Sequence, residues 1–222
     1  MTKLPAGALL VLLVALATSV AASGGDRGRE KIRFNAADQA AARAAVIRRA
    51  DLGSASGWKG GATKPDLSPP PTCPNYHPKQ SDLVLTGVAE TDWTRGGVDF
   101  DSEAQVLRTA RMVQLDWQRS IQVPGVVPCL RRQLVKAFGS KATVVSFKRI
   151  AFPHIARYAA AFLLLADVRS QGKKVRVMVE PIVAGRGRTE ITLTASALAS
   201  ARSSVSAAAL RLARILVARA RA

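Results

Sequence analysis

Cysteine, histidine and negative charge are all scarce in this chain. Its 222 residues hold two Cys, two His and 15 acids against 33 Lys and Arg. Two Cys and the distant His77 and His154 give no metal-ligand spacing, and without a Cys-x-x-Cys string there is no redox motif. Nucleophilic catalysis needs a Ser or Cys near a His and an orienting acid. Here His77 sits in a Pro-rich stretch, His154 follows Pro153, and no Gly-x-Ser-x-Gly string occurs. Gly185-Arg186-Gly187-Arg188 lacks the third Gly of a dinucleotide loop and opens no helix, so it reads as a turn. No cofactor is expected, and the chain reads as a non-enzyme. Aromatics are 5% of the residues. Phe147-Lys148-Arg149 is the one spot where an aromatic adjoins bases, too little for a nucleic-acid interface.

What the chain has in excess is positive charge, formally +18. Ser81 to Ser120 holds seven acids against four bases, whereas Cys129 to the end holds three against eighteen. Such a field attracts anionic envelope polymers or membrane headgroups. The rival reading is background composition, because Arg outnumbers Lys 23 to 10 and Ala is abundant. If the charge is used, Lys148, Arg149, Arg157 and Arg176, on or beside strand patterns, are the candidate binding residues. The acids of Asp99-Phe100-Asp101-Ser102-Glu103 sit where a helix start favours negative charge.

Met1–Ser23 has the form of an export signal. Lys3 precedes an uncharged run closed by small residues, and Ser19-Val20-Ala21 or Val20-Ala21-Ala22 suits a signal peptidase. An uncleaved anchor is the alternative, since the run is nearly long enough to span a bilayer. In an exported chain the pair Cys73 and Cys129 reads as a disulfide, and closing a loop of that length is worth about 4 kcal/mol in the loop-entropy model.

Residues 24–80 read as an N-terminal helix and a loop. The helix runs from Asn35, its N-cap, to Gly53, with a thin apolar side of Ala40, Ala44, Val46 and Ile47. Gly53 to Gln80 is rich in Pro and reads as structureless.

Residues 81–222 read as one α+β domain. Asp82–Trp93 is a strand, Gly96-Gly97 a turn, and Val98–Phe100 a short return. Ser102–Arg119 follows as a helix, with Val106, Ala110, Val113 and Trp117 at helical spacing. Pro128 opens another helix, which Gly139 closes. From Thr143 to Ala195 the pattern is an antiparallel meander of four strands. Val175, Val177 and Val179 alternate with Lys174, Arg176 and Glu180; Ile191, Leu193 and Ala195 alternate with Glu190, Thr192 and Thr194. Tyr158–Val168 is apolar on both sides, as a covered central strand is, while Pro181 predicts an edge or a bulge in the next strand. The last segment is a basic amphipathic helix, with Val205, Ala208, Leu212 and Ile215, joined by Ala209 and Leu216, on the side that docks on the sheet. In all, the sheet should have about five strands.

The helix ending Ala50-Asp51-Leu52-Gly53 before Gly57-Trp58, the stretch Ser102 to Arg119, and Cys129-Leu130 stand in an order that resembles the PknH-like extracellular sensor family of actinobacteria and, more distantly, the LpqN-type lipoproteins. The resemblance implies an antiparallel sheet flanked by helices and a role in binding an extracellular ligand or partner. The chain departs from that family in having Cys for one disulfide where two are usual. The expectation is an exported, non-catalytic binding domain. Two alternatives stay open: a carrier with an apolar pocket lined by Phe162, Leu164 and Trp117, and a hydrolase using His154.

Overall fold

A computed structural model of the chain describes residues 29–53, 56–68, 72–170 and 172–220, so the export signal at Met1–Ser23 lies outside the described residues. The fold is α+β, as the patterning implies. The strands are β1 (Lys31–Ile32), β2 (Lys59–Thr63), β3 (Val84–Arg95), β4 (Val98–Leu107), β5 (Ala142–Ile150), β6 (Tyr158–Ser170), β7 (Lys173–Arg186) and β8 (Thr189–Leu198). The helices are α1 (Ala36–Ala44), α2 (Ala110–Asp116), α3 (Val126–Phe138) and α4 (Arg202–Arg219). One sheet of eight strands runs β1-β3-β4-β8-β7-β6-β5, and β2 also pairs with β3. Among the described residues β1 alone pairs in parallel, and every other ladder is antiparallel.

The meander forms as its alternation dictates. β6 and β7 are joined through the turn at Gly172, β7 and β8 through the turn at Gly187, and both glycines have φ in the left-handed range, at 75° and 58°. β6 is covered on both sides: Ala161 and Leu163 face one core cluster, while Phe162, Leu164 and Ala166 face another. Pro181 is neither at an edge nor in a bulge. β7 is interior, and its register to β6 resumes unchanged from Ala161↔Ile182 to Leu164↔Val179, with Pro181 in the gap. The missing N–H is absorbed by that local break, while pairing to β8 continues through Pro181↔Thr194.

The expected helix over Ser102–Arg119 is corrected. β4 continues to Leu107, and α2 begins only after Thr109, whose side chain accepts from the Met112 amide. Phe100, Ser102, Ala104 and Val106 alternate as buried residues, so a period of two wins once both neighbouring strands supply partners. The helix from Asn35 is real but stops at Ala44, and a 3₁₀ turn at Arg49–Leu52 replaces its expected second half. The loop after it is not wholly structureless, because β2 lies within it and pairs with the outer edge of β3. The sheet therefore has eight strands where about five were expected.

Two apolar layers enclose the sheet. On one face α4 buries Val205, Ala209, Leu212, Ala213 and Leu216 against β7 and β8, and Ala42 of α1 with Ala45 and Val46 just after it packs against Ala89, Ala104 and Val106. Of the expected stripe, Val205, Ala209, Leu212 and Leu216 are buried, whereas Ala208 and Ile215 are only partly covered and Ala213 is buried instead. A buried ion pair ties this layer together: Arg219 of α4 grips Asp51 with both nitrogens, and the Arg48 amide donates to the same carboxylate at 2.8 Å. On the other face α2 and α3 cover β5, β6 and β7 with Trp117, Phe138, Phe147 and Phe162. The disulfide Cys73–Cys129 pins the residue 72–80 segment to α3.

The thin face of α1 works because the sheet beneath it is thin as well. A Cβ on Gly87 would lie 2.3 Å from the Asp38 carbonyl oxygen, a backbone atom that has no rotamer to escape with. Gly87→Ala should therefore lower stability by about 1–3 kcal/mol, read as a fall in the urea midpoint with an unchanged slope. An unchanged midpoint would mean that α1 does not sit this close.

Candidate functional site

The second face of the sheet is apolar over β5–β7 and at one end of β3 and β4, where Leu85, Val88 and Leu107 pack with Val113 of α2. Beyond that cluster, over β3, β4 and β8, it is polar and acidic. Because successive side chains alternate, Glu90 and Asp92 of β3, Asp101 and Glu103 of β4 and Glu190 of β8 all point to this side, opposite to Ala89, Ala104 and Ile191. The register sets Glu90 directly across from Glu103 and Asp92 directly across from Asp101. Like charges in directly opposed positions destabilise a sheet. A sheet shaped by stability alone has no reason to keep them.

A cavity of about 400 Å³ lies over this face. Its floor includes Glu103 and Gln105, its walls are Gln80, Asp116 and Ser120, and its rim is formed by residues 29–32 and 66–68. A smaller hollow of about 170 Å³ adjoins it, shares Glu103, Gln105 and Asp116, and reaches Glu190 and Thr192. The chain turns Asp116 inward by a device in α2. After Asp116 the helix widens into one π turn, Trp117–Ile121. Trp117 then enters the apolar cluster, while Asp116 and Ser120 stay on the cavity side.

The polar groups are tightly connected. Gln80 Nε2 donates to Asp116 Oδ1 at 2.6 Å and to Ser120 Oγ at 3.0 Å, and Ser120 Oγ donates to Asp116 Oδ1 at 2.7 Å. Gln105 Nε2 donates to Glu103 Oε1 at 2.6 Å. Glu90 holds the rim through Thr63 Oγ1 at 3.0 Å and the Asp66 amide at 3.2 Å. One acceptor is left over: Gln80 is 4% exposed and its Oε1 has no partner. A buried polar atom without a partner is rare enough to need a cause.

Crowding of carboxyls out of bulk water shifts their titration. Burial raises Glu103 to about 7, with the charges of Glu90 and Asp66 adding to the effect against the opposing Gln105 bond. Burial raises Glu30 to about 7, helped by Asp116 and Glu103, and Asp101 to about 7, helped by Glu90, Asp92 and Glu103. Glu190 is deep enough that burial pushes it well above the usual carboxylate range, with Asp116 and Glu30 adding repulsion and a hydrogen bond to Asp116 holding its proton. It is mostly covered and keeps limited exposure where the small hollow touches it.

The basic residues singled out from the sequence are not brought together. Lys148 and Arg149 are exposed neighbours on the edge strand β5 and point to opposite faces. Arg157 is exposed, with its guanidinium 5.4 Å from the centre of the Tyr158 ring. Arg176 is committed to Asp167, through bonds of 2.8 and 3.1 Å. Those bonds, with Lys174, hold the Asp167 carboxyl far below its ordinary range. The apolar-carrier alternative loses its place as well: Phe162, Leu164 and Trp117 belong to one packed cluster with Phe138 and Phe147. His154 is exposed and has no hydrogen bond to a Ser or an acid among the described residues.

The acidic face escaped sequence reasoning because its acids were assigned to the start of a helix. The signal was there, in the seven acids between Ser81 and Ser120. Recognising it required reading Asp99–Gln105 with a period of two.

No protein-family model matches the chain, and no curated protein matches it. Among solved structures it is similar to the extracellular domain of PknH from Mycobacterium tuberculosis, with 9% identity over 82% of this chain and 95% of that one and a TM-score of 0.44. Similarity extends to PA94, a protein of unknown function from Pseudomonas aeruginosa (12% identity, 71% and 84% covered, TM-score 0.27). It extends also to LpqN of Mycobacterium tuberculosis, involved in cell envelope biogenesis (12% identity, 72% and 83% covered, TM-score 0.26). PknH and LpqN are the two resemblances drawn from the order of elements in the sequence.

The raised carboxyls carry a sign. In the unfolded chain the Glu carboxyls ionise near 4.5 and Asp101 near 3.8, whereas in the folded one Glu30, Glu103 and Asp101 hold their protons to about 7. Between those limits the folded state binds more protons, so stability rises as pH falls from about 7.5 to about 5. The lowered groups, Asp82 at about 2 among them, lose their contribution only below that window. Glu103→Gln should raise stability at pH 7.5 by about 1–2 kcal/mol, Glu190→Gln should act in the same direction, and both should flatten the pH dependence. Thermal unfolding across that range checks both, and a stability that rises with pH would contradict the assignment.

Proposed function

We propose that the chain is an exported, non-catalytic binding domain that works outside the cytosol and holds a ligand in the acidic cavity over β3, β4 and β8. The observation that carries this reading is the cavity itself. A site of about 400 Å³ is framed by four chain segments and crowded with carboxyls that destabilise the sheet, and pockets of roughly 300–1,000 Å³ with a few convergent polar groups are the usual form of a ligand site. Perturbed titration in a cleft points the same way.

A disulfide between Cys73 and Cys129 supports the compartment, since such bonds persist where thiols are not kept reduced. Non-catalysis is supported by the direction of the shifts. Acid–base catalysis by a carboxyl pair needs environments that push two groups apart, and Glu30, Glu103 and Glu190 are all pushed upward. Lys148, Arg149 and Arg157 have a different part in this reading: exposed and dispersed, they and the +18 charge hold the domain close to anionic envelope polymers or headgroups without forming a pocket.

Export and pairing are tested together by the mass of secreted material: a product lacking Met1–Ser23 should take up a thiol label only after reduction. Fragment binding followed by amide correlation spectra tests the site, with shifts expected at Gln105, Ser120 and Thr192. Fragments that cluster elsewhere, for example around Trp58 and Arg95, would move the site away from this cavity. Retention on an anionic polymer should fall steeply with salt and drop with the triple change of Lys148, Arg149 and Arg157 to Glu, while the fragment shifts persist.

A further inference from the structure

We propose that the acidic cavity takes an organic cation, a flexible ligand with more than one primary ammonium group, which donates to Gln80 Oε1 and to the carboxyls of Glu103, Asp116 and Glu190. The proposal rests on the reading that this cavity is the ligand site and names what fills it.

The walls call for a donor. Glu30, Asp66, Glu103 and Asp116 face the larger chamber, and Arg29 is the one cationic side chain lining it among the described residues. The wall donors are already spent, since both Gln80 Nε2 and Ser120 Oγ point at Asp116 and Gln105 Nε2 points at Glu103. What remains is acceptor capacity, including the Gln80 Oε1 that has no partner although its residue is only 4% exposed. Acceptors outnumber the donors left for a neutral acceptor ligand such as a carbonyl compound, so the walls favour a ligand that donates. A compact metal ion fits poorly too: no group of three or more His, Cys, Asp or Glu among the described residues is arranged to hold one. An elongated cation matches the two joined chambers, of about 400 and 170 Å³, with Glu103 and Asp116 at their junction. The chain as a whole carries +18, so its outer surface repels such a ligand and general adsorption is suppressed.

Proton release accompanies binding. The groups facing the ligand are Arg29 and Glu30 from the N-terminal segment, Asp66 from the rim, Glu90 across β3, Glu103 on β4, Asp116 on α2 and Glu190 on β8. Without a ligand, Glu30 and Glu103 hold protons up to about pH 7. Ammonium groups stabilise the ionised carboxylates, so each bound ligand displaces protons, and affinity rises with pH.

The probe is spermidine, with 1,4-butanediol as the uncharged control and Mg²⁺ as the metal control, measured by calorimetry on the exported form of the chain at about pH 6 and about pH 8. For a carboxyl that titrates near 7, release of its one proton makes binding about tenfold tighter in total between these two pH values. The expected result is spermidine binding that tightens by tenfold or more between the two pH values, with no heat from the diol and no competition by Mg²⁺. Glu103→Gln with Glu190→Gln should weaken it at least tenfold and level its pH dependence, while thermal unfolding shows the variant to be folded. Spermidine binding that ignores this double change, or is matched by Mg²⁺, overturns the proposal in favour of surface charge. Diol or carboxylic-acid fragments that shift Gln105 and Ser120 while spermidine does not overturn the cation but keep the cavity as the site. If neither spermidine nor any fragment perturbs the cavity, both readings fall.

Discussion

The pairing of β4 with β8 is the constraint on which the rest of the structure depends. β3 and β4 form a local hairpin, and β5 to β8 form a meander; each could bury one face only with help. Joining Asp99–Val106 to Thr189–Ser196 makes them one sheet and gives α1 and α4 a common floor. It also sets the acids of β4 beside Glu190, some ninety residues further along the chain. The cavity is a product of this seam.

Charge is spent unevenly across the molecule as a result. Most cations stay in water on the outside, where they repel one another weakly and favour solubility. A minority are committed to fold contacts, as Arg219 is to Asp51, Arg188 to Asp38 at 2.6 Å and Arg119 to Asp82 at 2.6 Å. The acids of β3, β4 and β8 mostly lack such partners. In a chain with more than twice as many bases as acids, carboxyls left facing one another in a recess are not a shortage of counter-ions. The recess admits one cationic side chain among the described residues, that of Arg29.

Loop and helix devices then shape the recess. The disulfide holds the segment ending at Gln80 against α3, which lets Gln80 reach Asp116. The π turn after Asp116 separates the apolar duty of Trp117 from the polar duty of Asp116 and Ser120. Glu90 draws the loop at Asp66 over the rim. Each of these links a residue far away in sequence to the polar face, at a distance where local propensity has no influence.

Sequence alone determined the elements whose partners are adjacent in the chain. The meander, its Gly turns, the covered strand at Tyr158–Val168, the disulfide and the docking of the last helix follow from alternation, punctuation and Cys count, because each is specified within a short window. Where two periods competed, tertiary partners decided. Ser102–Leu107 has enough apolar residues at helical spacing to read as helix, and it became a strand because β3 and β8 satisfy its backbone on both sides. Pro181 could sit in an interior strand because only one neighbour had to give up a bond. The acidic cavity belongs wholly to the tertiary level: no run of residues contains it, since its walls come from β4, β8, α2 and the segments around Glu30, Asp66 and Gln80, and only folding brings their carboxyls within repelling distance.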